Sequence, residues 1–516
     1  MFRGYVWCTF VDGLRFVLDP AILADLKTVQ KEFLALDRLV FSTVDDVRWT
    51  LDRGWCPRKV FNSNIWTLEL PVRLLNKRQS SAGTKGDRIN RWRLAYHFAS
   101  SARTPLDVAA QLDAKLEATG LMDTAVGEHR ALVPILTTES PKFDVEEKEV
   151  RADVRAWDKD ASDANRRLRD FIGPFANLDS DADIHARFAQ EGCHLADLKV
   201  ETVEKAMEGD VSRRTYLRLD ALRDRLQLLP KLRALREVLG GLNDEGELEA
   251  EVDPLGTCTG RLDGQSPRLI GLNRSLRHYF RAEPGRVLVG RDYSQIQVRI
   301  LADYSRDENL LEAFKREEDI HQVVAATIFG GRPSNISPAE RKKAKAVSHG
   351  VNMGMGAETL ADYATKACNV ATTVDEARGI LDDYFEIFPQ VQRFRRRLFE
   401  RARDEGLVRT RAGRRCQLAD FEELHPGQVL AYLLQMAEAD ILKTSINLLY
   451  ERLLPQAGNI VCILHDEIIV EADQGRVEKV SGLLKETMTD AANQHLEHCP
   501  AGESEVVIGQ SWSELA

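Results

Sequence analysis

Two apolar runs far apart in the chain, RVLVGRD at 286–292 and NIVCILHDEIIVEA at 459–472, each carry an aspartate where the apolar pattern breaks. Their lengths and their Val, Ile and Leu content predict buried strands. Asp292 closes the first run, so an ionised carboxylate would sit where its strand neighbours are dry, and that needs a reason. In the second run His-Asp-Glu interrupts a series of β-branched residues, which predicts a hairpin with His465 and Asp466 at its turn. The residues between the two runs read mostly as helix. This is an α+β pattern in which two separated strand pieces each carry an aspartate at a break. A single aspartate at a strand end is usually a turn former or a helix cap. Two of them on adjacent ends of one sheet can share two divalent cations about 3.5–4 Å apart, the arrangement used for in-line phosphoryl or nucleotidyl transfer. Magnesium suits an oxygen-only site of that kind, with manganese as an alternative.

A second feature bears on the same chemistry. In RKKAKAVSHGVNMGMG, residues 341–356, Arg341, Lys345, His349 and Met353 recur every four positions. Such a step drifts only about 40° around a helix, so the four form one stripe. It holds two cations, an imidazole and a thioether where an apolar core face would be expected. A triphosphate carries roughly four negative charges, and metal ions on one side with helix cations on the other would neutralise it. Arg341 and Lys345 would then meet phosphates, with His349 and Met353 beside sugar and base. His321, in EEDIHQVV, is a further candidate donor, although on its own it reads as an ordinary helix histidine.

The chain has 516 residues and a formal net charge of −10. That length allows two or three domains. The acidic balance by itself argues weakly against a nucleic-acid partner, but distribution matters more than the sum. Basic residues concentrate at RKKAK (341–345), RFRRRLFERAR (393–403) and RTRAGRR (409–415), runs that could track a phosphate backbone. No run of about 18 apolar residues exists, so no membrane span is expected. The N-terminal residues lack the pattern of a secretory signal. The eight cysteines are scattered singly, with no CxxC pair. That argues against structural zinc and fits free thiols in a reducing cytoplasmic setting.

Residues 1–130 mix strand-like pieces (GYVWCTFV, LRFVLD, RLVFSTV) with the helical LDVAAQLDAKLEATGL, and KRQSSAGTKGDR at 77–88 reads as a loop. From Val145 to about Leu239 the pattern is almost wholly helical. GGLNDEGELEAEVDPLG then breaks it as a hinge or turn-rich connector.

The chain resembles the family A DNA polymerases, the DNA polymerase I type. The likeness lies in RDYSQIQVRILADYSRDENLLEAF, RKKAKAVSHGVNMGMGAETLADYA and ILHDEIIVEA. TGRL (259–262), DIH (319–321), AGRR (412–415), QMAEADILK (435–443) and the C-terminal IGQSWSEL extend it in the family's order over roughly residues 128–516. The resemblance implies a right-hand polymerase fold. Its implied divisions are a small N-terminal α/β exonuclease-like domain at 1–130, a helical thumb at 131–250, and palm and fingers at 251–516, with the fingers at about 301–424. It also implies a magnesium-dependent enzyme acting on primer–template DNA and nucleoside triphosphates. Asp292 and Asp466 match the metal-binding aspartates, and Tyr293 would lend a backbone carbonyl. Arg341, Lys345 and His321 match the triphosphate positions, with Gln295 nearby, and Lys345 would also assist the leaving pyrophosphate. Arg261, Gln435 and His465 match groups that read the primer terminus, and Glu467 an auxiliary carboxylate.

Departures from the family's pattern suggest specialisation. Gln297 stands where the family usually has glutamate, and Met353 where it has the tyrosine that bonds to it. His349 replaces an aromatic ring, Ser348 an asparagine. Ala431 and Gly427 replace an asparagine and an arginine. Methionine has no hydroxyl, so the glutamate–tyrosine hydrogen bond is lost. Such a bond to a charged group is worth ~1.5–3 kcal/mol. Weaker sugar selection and lower fidelity than in a typical member follow as expectations, in an enzyme suited to repair, gap filling or lesion bypass. A polymerase that uses ribonucleotides and a catalytically reduced scaffold on the same fold are the competing readings. Asp144 and Glu146 form a DxE pair but fall where the family starts a thumb helix, and Asp45 and Asp46 read as a helix start. No proofreading site is therefore expected, and the N-terminal domain reads as shrunken and inactive.

Overall fold

The computed structural model describes residues 142–515 except 174–176, 250–251, 254–256, 265–268, 330, 367–371, 419–423 and 454–457, together with four short strands and a few helical residues before 142. The early strands are Val6–Thr9 (β1), Arg15–Leu18 (β2), Leu39–Phe41 (β3) and Ile65–Thr67 (β4). β1 pairs antiparallel with β2, and β3 parallel with β4. The first three fall in the strand-like pieces of the sequence. Asp45, Asp46 and the 77–88 loop lie outside the described residues, as does most of the region read as exonuclease-like.

Two compact units make up the chain, one of 1–140, 252–263 and 289–507, the other of 141–251, 264–288 and 508–516. The second unit is led by helices Glu147–Ile172 (α1) and Arg213–Gly240 (α4), with Asp181–Gln190 (α2) and Val200–Met207 (α3) between them. Ala161, Ala164, Leu168 and Phe171 recur at steps of three and four on α1 and are buried, the stripe by which a helix packs. Arg167 reaches Asp220 and Asp224 of α4 while Arg236 pairs with Asp158, so the two helices run antiparallel. The residues expected to act as a connector form a turn and then a strand, Glu247–Glu249 (β6), which pairs with Lys142–Val145 (β5), whose other side carries Phe280–Arg281 (β9). Phe143, Phe280 and Trp512 close this small sheet with ring centroids 5.5–5.7 Å apart. Asp144 lies in β5 and Glu146 is the cap residue before α1, consistent with a helix start.

In the first unit the predicted strands appear as Arg286–Asp292 (β10), Gly458–Leu464 (β13) and Glu467–Asp473 (β14). β13 and β14 pair as an antiparallel hairpin with Leu464 opposite Glu467, and the sheet order places β14 beside β10. Residues 287–291 of β10 are all buried, which matches the apolar run Val287–Gly290, with Arg291 buried behind it. Helix α5 (Ile296–Ser305) leaves β10 through a sharp corner at Gln295, which holds a left-handed φ of 54°. Helix α6 (Ile320–Phe329) precedes α7 (Pro338–Asn352), the basic-stripe helix. Ser337 and Glu340 form a reciprocal capping box at its start, with Pro338 in the first turn. Helix α8 (Pro389–Glu405) leads into the hairpin Leu407–Arg409 (β11) and Arg415–Gln417 (β12). The 28-residue α9 (Pro426–Leu453) packs against α10 (Val477–His495). α9 is apolar on most sides and correspondingly buried, from Val429 through Leu449. No helix among the described residues is long and apolar enough to cross a membrane.

The end of α7 is seated on the start of α9 through two glycines. Gly354, at φ +73°, and Gly427 touch backbone to backbone, and a Cβ on either would overlap the other. This gives a physical reason for Gly427, since no arginine side chain could leave the backbone there. Gly427→Ala should lower the melting temperature by forcing the helix ends apart, a strain of about 1–3 kcal/mol. Gly379→Ala, in open space on a helix, should leave it unchanged or raise it. Equal melting temperatures for Gly427→Ala and the parent would refute the close contact.

Candidate active site

One backbone hydrogen bond brings the two aspartates together. The Tyr293 N–H donates to the Asp466 carbonyl at 3.0 Å, tying the residue after β10 to the β13–β14 turn. That turn holds His465 at φ 42°. The Tyr293 side chain is a buried anchor whose hydroxyl donates to the Met488 carbonyl at 2.7 Å and meets Ser445 Oγ at 2.6 Å. Arg291 is fixed just before it by the Lys485 carbonyl at 2.6 Å and Ser504 Oγ at 2.9 Å. Asp292 is thus carried on a backbone held from both sides, with its own side chain exposed. Glu467, next to Asp466, opens β14.

The acids act on one another electrostatically. Burial, then Glu438, then Asp292 push the Asp466 carboxyl up to about 7. Glu438 was not singled out from the sequence. It is a buried acid on α9, 3% exposed, held by an ion pair to Arg261 and by a 3.2 Å hydrogen bond from the Gln297 amide. Its one signal was an acid one helical turn after Gln435 and two residues before Asp440, on a largely apolar helix. Among the described residues no group of three or more His, Cys, Asp or Glu side chains is arranged to hold a metal alone. The Asp292–Asp466 pair nevertheless fits a divalent cation. Crowded acids, one of them forced toward its neutral form, would be relieved by a positive ion, and a hard ion takes its remaining ligands from water and substrate oxygens.

The stripe of α7 belongs to the same unit. Arg341 pairs with Asp319 at 2.6 Å, and Asp319 also accepts the His321 backbone N–H at 2.9 Å. Lys345 is exposed one turn further on. His321 is buried on α6 with Nδ1 3.3 Å from Ser348 Oγ. Burial above all, opposed by Asp319 and reinforced by nearby cations, pushes its pKa down to about 4. It therefore offers a neutral ring. Burial and then Lys345 and Arg261 push His349 down as well, which brings those two cations near one ring. The same ring lies 5.7 Å from that of Tyr363. At the end of the stripe Met353 Sδ contacts the Gln435 amide at 4.0 Å, and Gln435 Oε1 accepts from Thr259 at 3.4 Å. Burial, then Arg261, lowers His465 too, against the opposing pull of Glu438. Gln295 Oε1 is buried without a hydrogen-bond partner, as is Arg261 Nε. Acids on the strand ends, cations on α7 and the Arg261 loop, and unmet polar atoms between them suit an anionic ligand that brings metal ions.

The basic run at 409–415 departs from its expected use as a phosphate track. Arg414 is buried and pairs with Asp440 at 2.6 Å, and Arg411 pairs with the buried Asp303 while lying 4.2 Å over the Tyr304 ring. Those two cations stabilise the hairpin against α9 and α5. Arg409 remains exposed, as do Arg393, Arg396, Arg397, Arg401 and Arg403 on α8.

Known proteins resemble this chain in both sequence and fold. The family model for DNA polymerase family A matches residues 218–514. The DNA polymerase I of Aquifex aeolicus is 31% identical over 293 residues, which is 56% of this chain and 49% of that protein. The thermostable DNA polymerase I of Thermus filiformis is 33% identical over 282 residues, 52% of this chain and 33% of that protein. The chain thus matches half or less of these relatives' length. Among solved structures, the POL domain of Pol1 from M. smegmatis, in complex with DNA primer–template and dNTP, superposes with a TM-score of 0.83. It covers 98% of this chain and 92% of that one at 22% identity, a likeness of fold.

Asp466 gives the site a pH signature. Its folded pKa of about 7 lies above the ordinary 3.8, so the folded state holds a proton that the unfolded state releases. Stability from this group is therefore intact below about pH 4, falls as pH rises toward 7, and is fully lost above it. In chelator, Asp466→Asn should grow more stable relative to the parent as pH rises from 5 to 8, read by thermal denaturation. Magnesium should raise the parent's melting temperature more at pH 8 than at pH 6. A pH-independent difference between the two proteins would contradict this electrostatic reading.

Proposed function

This chain belongs to DNA polymerase family A, and we propose on that premise that it is a template-directed DNA polymerase extending a primer 3′-hydroxyl. Its partners on this reading are primer–template DNA and nucleoside triphosphates. The observation that carries the proposal is the convergence of Asp292 and Asp466 at the Tyr293–Asp466 hydrogen bond, in one compact unit with the α7 cations. Asp292 and Asp466 would hold two divalent ions with the Tyr293 carbonyl, magnesium by the chemistry of the oxygen donors. When bound, such ions activate the attacking hydroxyl and neutralise charge on the phosphates.

The chain's own residues would bind and orient. Arg341 would exchange Asp319 for a phosphate oxygen, and Lys345 would donate a hydrogen bond, then a proton, to the departing pyrophosphate. His321, neutral in this setting, would contribute a hydrogen bond and no charge. Arg261, Gln435 and His465 would meet the primer terminus. Gln295, with its unmet oxygen, would take a polar group of the nucleotide. Phosphoryl transfer asks little of a protein beyond such positioning and charge, so this set suffices.

Primer extension tests the proposal. Asp466→Ala should lower incorporation by at least about a hundredfold, the scale for losing one electrostatic stabiliser. Equal incorporation by the two proteins would favour the scaffold reading.

We also infer relaxed sugar selection. The Gln297 amide is engaged by Glu438, and Met353 offers a thioether where no hydroxyl is available. Comparing dNTP and rNTP insertion kinetics, we expect discrimination well below many thousandfold, and a value at or above that level would defeat the inference. Proofreading is not part of the proposal, so 3′-end degradation by the purified protein with magnesium should be absent. Degradation that disappears on removing residues 1–130 would overturn that point.

A further inference from the structure

We propose that Cys258 and Cys416 form a reversible disulfide that clips the Arg261 loop to the β11–β12 hairpin, with a hydroperoxide as oxidant. The loop leaves and re-enters through two paired strands, Val252–Asp253 (β7) and Asp263–Gly264 (β8). Thr257 Oγ1 accepts the Arg261 N–H at 2.9 Å and curls its tip. At that tip Gly260, at φ +79°, lies so close to the Arg414 guanidinium that a Cβ would overlap it. Arg414 is in turn held by Asp440. Loop residue 260 is therefore locked against hairpin residue 414. Two residues from each, the thiols of Cys258 and Cys416 lie close enough to shift each other's acidity, Cys258 downward and Cys416 upward. Both also lie close enough to Tyr432 to push its hydroxyl up, after burial. Hence two unrelated contacts, one through arginine and one through sulfur, bring the same two segments together.

The two sulfurs are unequal in the way such chemistry needs. Cys258 is exposed and Cys416 buried. The Cys416 thiol beside it draws the Cys258 thiol down to about 7, helped by backbone N–H groups and opposed by burial. Contact with Cys258 and burial push Cys416 upward. Thiolate character and access govern which cysteine reacts first. The Cys258 thiolate attacks one peroxide oxygen and breaks the O–O bond. Cys258 becomes a sulfenic acid, and the departing oxygen leaves as water or alcohol after taking a proton. The Cys416 sulfur then attacks the Cys258 sulfur and forms the S–S bond. Hydroxide is expelled and takes the Cys416 proton as water. Two thiols lose two electrons, and the peroxide gains them.

Arg261, three residues beyond Cys258, is the cation paired with Glu438. The bond would fix its loop in that paired arrangement and restrict its release to a primer. This consequence rests on the function proposed above, whereas the bond itself does not.

The test uses the full chain, treated with stoichiometric hydrogen peroxide, quenched with a maleimide and mapped by peptide mass spectrometry. We expect loss of two thiols, a Cys258–Cys416 cross-linked peptide, and return of both thiols with dithiothreitol. Cys258→Ser should lose no thiol. Cys416→Ala should stop at a sulfenic acid on Cys258 that dimedone traps, and Cys416→Ser serves if the alanine variant folds poorly. Intact thiols in the treated parent, or a cross-link between other cysteines, would overturn the proposal. In a separate readout, the oxidised parent should bind primer–template severalfold more weakly than the reduced form, with Cys258→Ser indifferent to peroxide. Unchanged binding by a protein that carries the mapped disulfide would refute the role of the loop and leave the bond standing.

Discussion

The site depends on like charges being brought together and then held. Asp292, Asp466 and Glu438 repel one another at the edge of a buried sheet, and the protein gains nothing from that in the absence of a cation. What maintains the arrangement is backbone. The Tyr293 N–H on the Asp466 carbonyl fixes one strand end to the other, while the buried tyrosine ring and Arg291 pin the chain beneath them. Arg261 compensates part of the negative charge through Glu438. Asp466 absorbs part of the remainder by holding a proton near neutrality. A fold stabilised elsewhere, by the core around α9 and α10, thus sustains a locally unfavourable cluster, as functional sites commonly require.

The cationic side follows the same logic in reverse. Arg341 does not wait unpaired but rests on Asp319, which also fixes the start of α6 by accepting the His321 N–H. A ligand phosphate would displace a carboxylate that keeps its own backbone partner, so the exchange leaves no buried acid stranded. His321 and His349 are both held toward neutrality, the first chiefly by burial, the second by burial and cations. The stripe therefore presents charge at Arg341 and Lys345 and uncharged polar or soft groups at His349 and Met353. That division corresponds to the two ends of a nucleotide.

Much of this was legible from residues alone. The strands, the hairpin turn at His465–Asp466 and the α7 stripe rest on strong local patterns, and the structure contains each of them. What the residues did not reveal is pairing between distant elements. Glu438 is one of a few acids in a long, largely apolar helix, and nothing in its neighbourhood says that Arg261 and Gln297 fold onto it. The 409–415 run looked like a phosphate track because sequence records charge and not its partner. Asp303 and Asp440, far along the chain, neutralise two of its arginines. Gly427 looked like the loss of a side chain, while the structure makes it a close contact with Gly354. Each of these is a long-range contact, which local periodicity does not encode.

Asp292 and Asp466 are proposed to act together as one divalent-cation site. Manganese binding followed by electron paramagnetic resonance, with primer–template and a non-hydrolysable nucleoside triphosphate present, measures it directly. Two bound ions per chain are expected in the parent, with fewer, weakly held ions in both Asp292→Asn and Asp466→Asn. Two ions bound with unchanged affinity by either variant would contradict the shared site.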